Sequence, residues 1–249
     1  MSLPYIILLA GLGFMPSLIW LAFYYREDCH PEPKPILTKV FLLGIVVSPL
    51  AILFQFLLIK CNGISPLTKF CLPFGFLEPN SINFFLWSAF VEEMVKFYTV
   101  RMFVLNNPNF DEPIDAMIYM IAAALGFAAI ENTLIVFKTV AEGFAVTINT
   151  LILRFIGATL LHALASGLLG YFLAMSWFFQ HRRKQLLIIG LGVATLFHFV
   201  FNIIIYSLDG QITALLYTTF LLLGVAFLVS ILFDRLKRRH ASQVITHKI

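Results

Sequence analysis

Charge is what this chain lacks most. Only 12% of its 249 residues are Asp, Glu, Lys or Arg, against about 25% in soluble domains. An ordinary soluble domain is therefore excluded. Cysteine is also scarce, at three residues, too few for a disulfide scaffold or a cysteine-rich zinc site. HExxH and GxSxG are both absent, which removes the zincin helix and the hydrolase nucleophile elbow. There is no repeat, no low-complexity segment and no basic leader with a cleavage motif at the N-terminus. The formal net charge of +4 does not mark a nucleic-acid binder, because the basic residues fall in loops and the tail, where membrane orientation explains them.

What is present is apolar. Hydrophobic residues make up 60% of the chain and the mean hydropathy is +0.92. Apolar runs of about 20 residues recur, each long enough to cross roughly 30 Å of hydrocarbon as a helix. We read an all-α polytopic bundle with seven spans, at about Leu3–Tyr25, Ile36–Ile59, Ser81–Leu105, Ile114–Phe137, Ile148–Phe178, Gln185–Ser207 and Ile212–Phe233. The count allows eight, and the overlong fifth span either tilts or lays its ends in the interface. HPEPKP, NGISPL, NNPNFDEP and SLDGQ punctuate them as helix stops. Residues 1–249 form one membrane domain, with 234–249 as a basic tail. Twelve lysines and arginines lie in loops and tail on one side, against Lys60, Lys69 and Lys138 on the other. The positive-inside rule then predicts an outer N-terminus and a cytoplasmic C-terminus. Cys61 and Cys71 share an outer loop on this topology, where they either pair in an oxidising compartment or remain two separate thiols.

Against this background the polar residues inside spans stand out. The third span places Glu92 and Glu93 side by side, with Lys96 three and four residues on. A carboxylate at the bilayer centre costs on the order of 3 kcal/mol on insertion scales, so an intramembrane acid is a functional candidate by default. The fourth span adds Glu131 and Asn132, the fifth Arg154 and His162, and the sixth His198 and Asn202 at i,i+4 on one helix face. Rising about 1.5 Å per residue, Glu92, Glu131, His162, His198 and Asn202 share a band from the bilayer centre to its outer half. Each taken singly has a plainer role. His198 and Asn202 serve as interhelical hydrogen-bond glue, Arg154 snorkels to the boundary, and Arg101 pairs with Asp115 near the cytoplasmic ends of their spans. The argument for function rests on the set.

Two adjacent carboxylates in a desolvated site cannot both ionise cheaply. One of them is suited to take a proton from water. We assign Glu92 as base and Glu93 as its lysine-paired neighbour, an order the sequence alone also permits in reverse. Lys96 reaches either acid along the helix. His198 and Asn202 supply donors for a developing oxyanion, and His162 orients water or protonates the leaving amine. Zinc held by the histidines and glutamates is the competing chemistry, although no two histidines stand at ligand spacing within one helix. A proton- or cation-coupled transporter would bury the same groups, and a non-catalytic scaffold would tolerate their loss.

The ordered segments VEEMVK, NFDEPIDAMIYMIAAALGFAAIEN, Arg154 with LHALASGLLGY, and HFVFN, preceded by YYREDCHPEPKP, resemble the PrsW family of bacterial intramembrane proteases. That family belongs to a wider superfamily with the CAAX prenyl endopeptidases. The resemblance runs from about Tyr24 to Asn202. It implies a metal-independent, glutamate-dependent endopeptidase of the bacterial plasma membrane acting on a single-span membrane protein, with no cofactor. It also implies the first, extracytoplasmic cut of an anti-sigma factor. Glu92, Glu93, His162, His198 and Asn202 fall on its motifs, with Lys96, Glu131, Asn132 and Arg154 in support. Ala116 departs from the glycine expected after the aspartate.

Overall fold

In a bilayer every backbone N–H and C=O must find its partner within the protein, which leaves helices or closed barrels. This chain takes helices. The computed structural model describes residues 2–27, 30, 32–59, 77–105, 107–208 and 212–246, with side chains as far as Arg239. Cys29, Cys61 and Cys71 lie outside the described residues, and with them the question of a disulfide.

The elements are α1 (Leu3–Tyr25), α2 (Lys34–Phe56), α3 (Ile82–Phe103), α4 (Asp115–Thr139), α5 (Phe144–Arg154), a π-helical turn (Phe155–Thr159), α6 (Leu160–Phe178), α7 (Arg183–Ser207) and α8 (Ile212–Thr246). Among the described residues six helical segments are long and apolar enough to cross a membrane, with Phe144–Phe178 counted as one. The remaining long helix is α3, whose Glu92, Glu93, Lys96 and Arg101 weigh against it in hydropathy. Ser81 starts α3 by accepting the backbone N–H of Phe84 at 3.2 Å, an N-cap that satisfies one of the orphan donors of the first turn.

The central rod is α4, which packs against α1, α2 and α6. Its residues from Asp115 to Ala129 are buried without interruption. Close approach is what its small side chains provide. A Cβ on Gly44 of α2 would fall on the carbonyl of Ala123, and one on Gly126 of α4 would fall on the carbonyl of Phe41. Only glycine fits these two crossing points, the small-residue packing that substitutes for a hydrophobic driving force in lipid. The outer surface is apolar, with Phe220 and Phe227 of α8 both 70% exposed.

Two elements differ from the sequence reading. The overlong fifth span begins at Phe144, just after Gly143 at φ +120°, and is interrupted by the π turn at Phe155–Thr159. Trp20 of α1 donates its indole N–H to the Phe155 carbonyl at 2.9 Å and stacks on its ring, satisfying a group where the α ladder changes register. At the other end α8 does not stop at Phe233 where hydropathy falls. It continues to Thr246, through residues of good helix propensity such as Arg235, Leu236 and Lys237. Lys237 meets Glu27 at 3.2 Å, and the Arg239 guanidinium lies 4.7 Å from the Phe178 and Phe179 ring centres.

Candidate active site

Adjacent residues on a helix diverge by about 100°, so the paired glutamates of α3 face different neighbours. Glu93 is wholly buried and both of its oxygens are engaged. Oε1 takes the Lys96 ammonium at 2.7 Å and His198 Nδ1 at 2.9 Å, while Oε2 accepts the Ser166 hydroxyl at 2.9 Å. It ties α3 to α6 and α7.

Glu92 is different. Its Oε1 accepts from Gln55 of α2 at 2.9 Å and from Ser88 at 3.3 Å. Its Oε2 is buried and has no hydrogen-bond partner. Around that oxygen stand His198 Nε2 at 3.6 Å, His162 Nδ1 at 3.9 Å and Lys96 Nζ at 3.9 Å. These gaps are too long for direct hydrogen bonds, so the oxygen is surrounded by three nitrogen-bearing groups without being bonded to any of them.

The two histidines are oriented from behind. His162 Nδ1 receives the Lys96 ammonium at 2.8 Å. Its other nitrogen therefore carries the proton and donates to Glu131 Oε2 at 3.0 Å. The same Glu131 oxygen accepts from Arg154 at 3.1 Å; Arg154 Nε donates to Asn132 at 2.6 Å, and Asn132 donates to Thr159 at 2.9 Å. The π turn thus joins the network, through Thr159. His198 gives its Nδ1 proton to Glu93, which leaves Nε2 facing Glu92. The two imidazoles meet edge to face with centroids 5.1 Å apart.

Glu92, Glu93, Lys96, Glu131, Asn132, Arg154, His162 and His198 therefore form one connected cluster drawn from α3 to α7. Asn202 stands apart from it. It is half-buried and lines a cavity of about 630 Å³ together with Ser88, Arg154, Gly157, Phe201 and Tyr206. Through Ser88 and Arg154 this cavity adjoins both Glu92 and Glu131. Gln55, Ser88, Thr159 and Ser166 join the network although no motif in the sequence marks them. A lone amide in an apolar run, and a hydroxyl four residues before Glu92, were the signals available. The expected Arg101–Asp115 pair is replaced by other contacts. Asp115 Oδ2 accepts the backbone N–H groups of Asp111 and Glu112, and exposed Arg101 lies over the Tyr98 ring.

One donor from each of Glu92, His162 and His198 lies within 4.8 Å of the others, the spacing of a three-ligand metal site. The lysine spoils it. An imidazole nitrogen has one in-plane lone pair, and that of His162 Nδ1 is already taken by a fully buried ammonium. As these side chains stand, the residues do not fit a metal ion.

Residues 32–232 match a family profile described as "PrsW family intramembrane metalloprotease". Among curated relatives, "Protease PrsW" of Geobacillus kaustophilus is 28% identical over 180 residues, covering 72% of this chain and 71% of its own. "Protease PrsW" of Clostridioides difficile is 28% identical over 197 residues, covering 78% and 77%. "Protease PrsW" of Oceanobacillus iheyensis is 25% identical over 234 residues, covering 94% and 96%. No solved structure matches the chain. With the profile spanning most of its length and its helices built to cross a bilayer, the chain belongs to the PrsW family of intramembrane proteases, as a multi-pass cell-membrane protein.

Proposed function

We propose that the protein is a glutamate-dependent endopeptidase with Glu92 as its general base, and that it hydrolyses a peptide bond of a single-span membrane protein. The observation that carries this reading is the orphaned Glu92 Oε2, buried and facing two imidazoles and an ammonium at 3.6 to 3.9 Å. Glu92, Glu93 and Glu131 bring three negative charges against the two positive ones of Lys96 and Arg154. A buried cluster of that kind favours neutrality, and Glu92 Oε2 with His198 Nε2 is the pair placed to share the balancing proton. With that proton on His198, both a base and a donor are ready at one point.

Catalysis then follows simple steps. Glu92 takes a proton from the attacking water as its oxygen bonds to the scissile carbonyl carbon. His198 Nε2–H, with the Asn202 amide from the cavity side, donates to the developing oxyanion. The proton held on Glu92 passes to the leaving amine as the C–N bond breaks. Glu93, Lys96 and the Glu131–Arg154–Asn132 chain hold the imidazoles in place throughout. The substrate backbone approaches through the cavity lined by Ser88, Arg154 and Asn202. The family resemblance extends the proposal to a membrane-anchored anti-sigma factor cut on the extracytoplasmic side.

The test is reconstitution in vesicles with single-span substrates, with and without a strong chelator. Wild-type cleavage is expected to survive chelation, and Glu92→Gln to accumulate in the membrane but lose it. Normal turnover by Glu92→Gln sinks the base assignment, and activity that disappears with the chelator and returns with zinc sinks the metal-free mechanism.

A further inference from the structure

We infer that Lys96 is the site's own cation, a positioning residue that occupies the His162 lone pair a metal would need and so closes the Glu92–His162–His198 trio to divalent ions. The inference rests on the reading of Glu92 as base and assigns the reason why that base can work without a metal.

The geometry is specific. Lys96 Nζ stands 2.8 Å from His162 Nδ1 and 2.7 Å from Glu93 Oε1, and lies 4.7 Å from the centre of the Phe127 ring. Zinc binds imidazole nitrogen at about 2.1 Å along the in-plane lone pair. An ion there would lie on the order of 1 Å from where Nζ stands, so ion and ammonium are alternatives. Lys96 is 0% exposed, and swinging it out would strand the Glu93 charge as well as its own. Like charge adds to the exclusion, because a dication would approach a buried ammonium in a medium that screens poorly.

Lys96 also has a constructive role. By donating to His162 Nδ1 it sets the tautomer in which Nε2–H donates to Glu131. By pairing with Glu93 it holds the oxygen that orients His198. One ammonium thereby positions both imidazoles that a metal would otherwise have gathered.

The experiment measures metal content of the full-length protein in detergent after incubation with excess zinc and desalting. Wild type is expected to retain well under one zinc per chain, and Lys96→Arg the same. Lys96→Ala, with the lone pair released, is expected to retain about one, lost again in Lys96→Ala/His162→Gln, while its cleavage activity falls. A purely structural lysine would give no zinc in the alanine variant, and that result overturns the inference. So does one chelatable zinc per chain in wild type. If the alanine variant fails to accumulate, Lys96→Ser is the second small replacement, and the wild-type measurement decides independently. Wild type without zinc but with an active Glu92→Gln would defeat the proposed base and leave Lys96 as assigned. Wild type with zinc and an inactive Glu92→Gln would defeat the lysine and leave Glu92 essential.

Discussion

The molecule holds two groups of three carboxylate or imidazole donors close enough for one ion, and they differ in a way that separates chemistry from scaffolding. Glu32, Asp111 and Asp115 gather beside the start of α4. There Asp115 Oδ2 accepts two backbone N–H groups at 2.8 and 3.0 Å, and Tyr119 donates its phenol to Glu32. Here a carboxylate of the first turn of α4 folds back onto the backbone of the loop that precedes the helix, which fixes that loop's path. The cluster around Glu92 is built the other way. Its three donors come from α3, α6 and α7, it encloses an ammonium, and it leaves Glu92 Oε2 without a hydrogen bond. Counting acids does not tell the two apart. The carboxylate oxygen without a hydrogen bond does, because leaving a buried acid's acceptor unmet costs more than leaving a hydroxyl so.

That contrast can be broken by mutation. Glu92→Gln keeps the volume and the Oε1 acceptor but removes the base, and cleavage in vesicles is expected to fall roughly 100- to 10,000-fold with little loss of protein in the membrane. Glu93→Gln attacks the support instead. Lys96 loses its buried counter-charge, so unfolding in detergent should show destabilisation of about 3–5 kcal/mol, with activity lost alongside. Equal stability of the two variants would erase the distinction between the glutamates. Ser166→Ala removes one donor to Glu93 Oε2 and is expected to cost about 1–2 kcal/mol, with a smaller effect on turnover measured on the folded fraction. In the other cluster, Tyr119→Phe is expected to lower stability by about 1 kcal/mol and to leave turnover per folded molecule unchanged. A large catalytic loss there would mean that the α4 end communicates with the site.

Much of the site was legible because polar residues are so costly in an apolar span that few survive without a task. Glu131, Asn132, Arg154, His162 and His198 stood out on that ground alone, and the structure joins them in one network. The carboxylate pair was harder. Glu92 and Glu93 have the same chemistry and both sit at the middle of α3. Only the approach of α6 and α7 on one side and Gln55 of α2 on the other gives Glu93 a full set of partners and Glu92 an open oxygen. Asn202 shows the reverse limit. Its i,i+4 spacing from His198 is real, yet it faces the cavity instead of the hydrogen-bonded cluster.

Composition and hydrophobic length by themselves determined that this chain is a bundle of membrane-crossing helices, since apolar runs of this length in lipid have no other way to satisfy their backbones. They also determined which residues had to be accounted for. Tertiary structure alone decided where α5 yields to a π turn, that α8 continues beyond its apolar stretch, and which acid is sealed. It also decided that Lys96 lies between Glu93 and His162, with Glu92 Oε2 3.9 Å away. Those outcomes depend on how helices cross, and crossing is set by a few close contacts such as Gly44 on Ala123, which join residues far apart in the sequence and leave no local pattern within it.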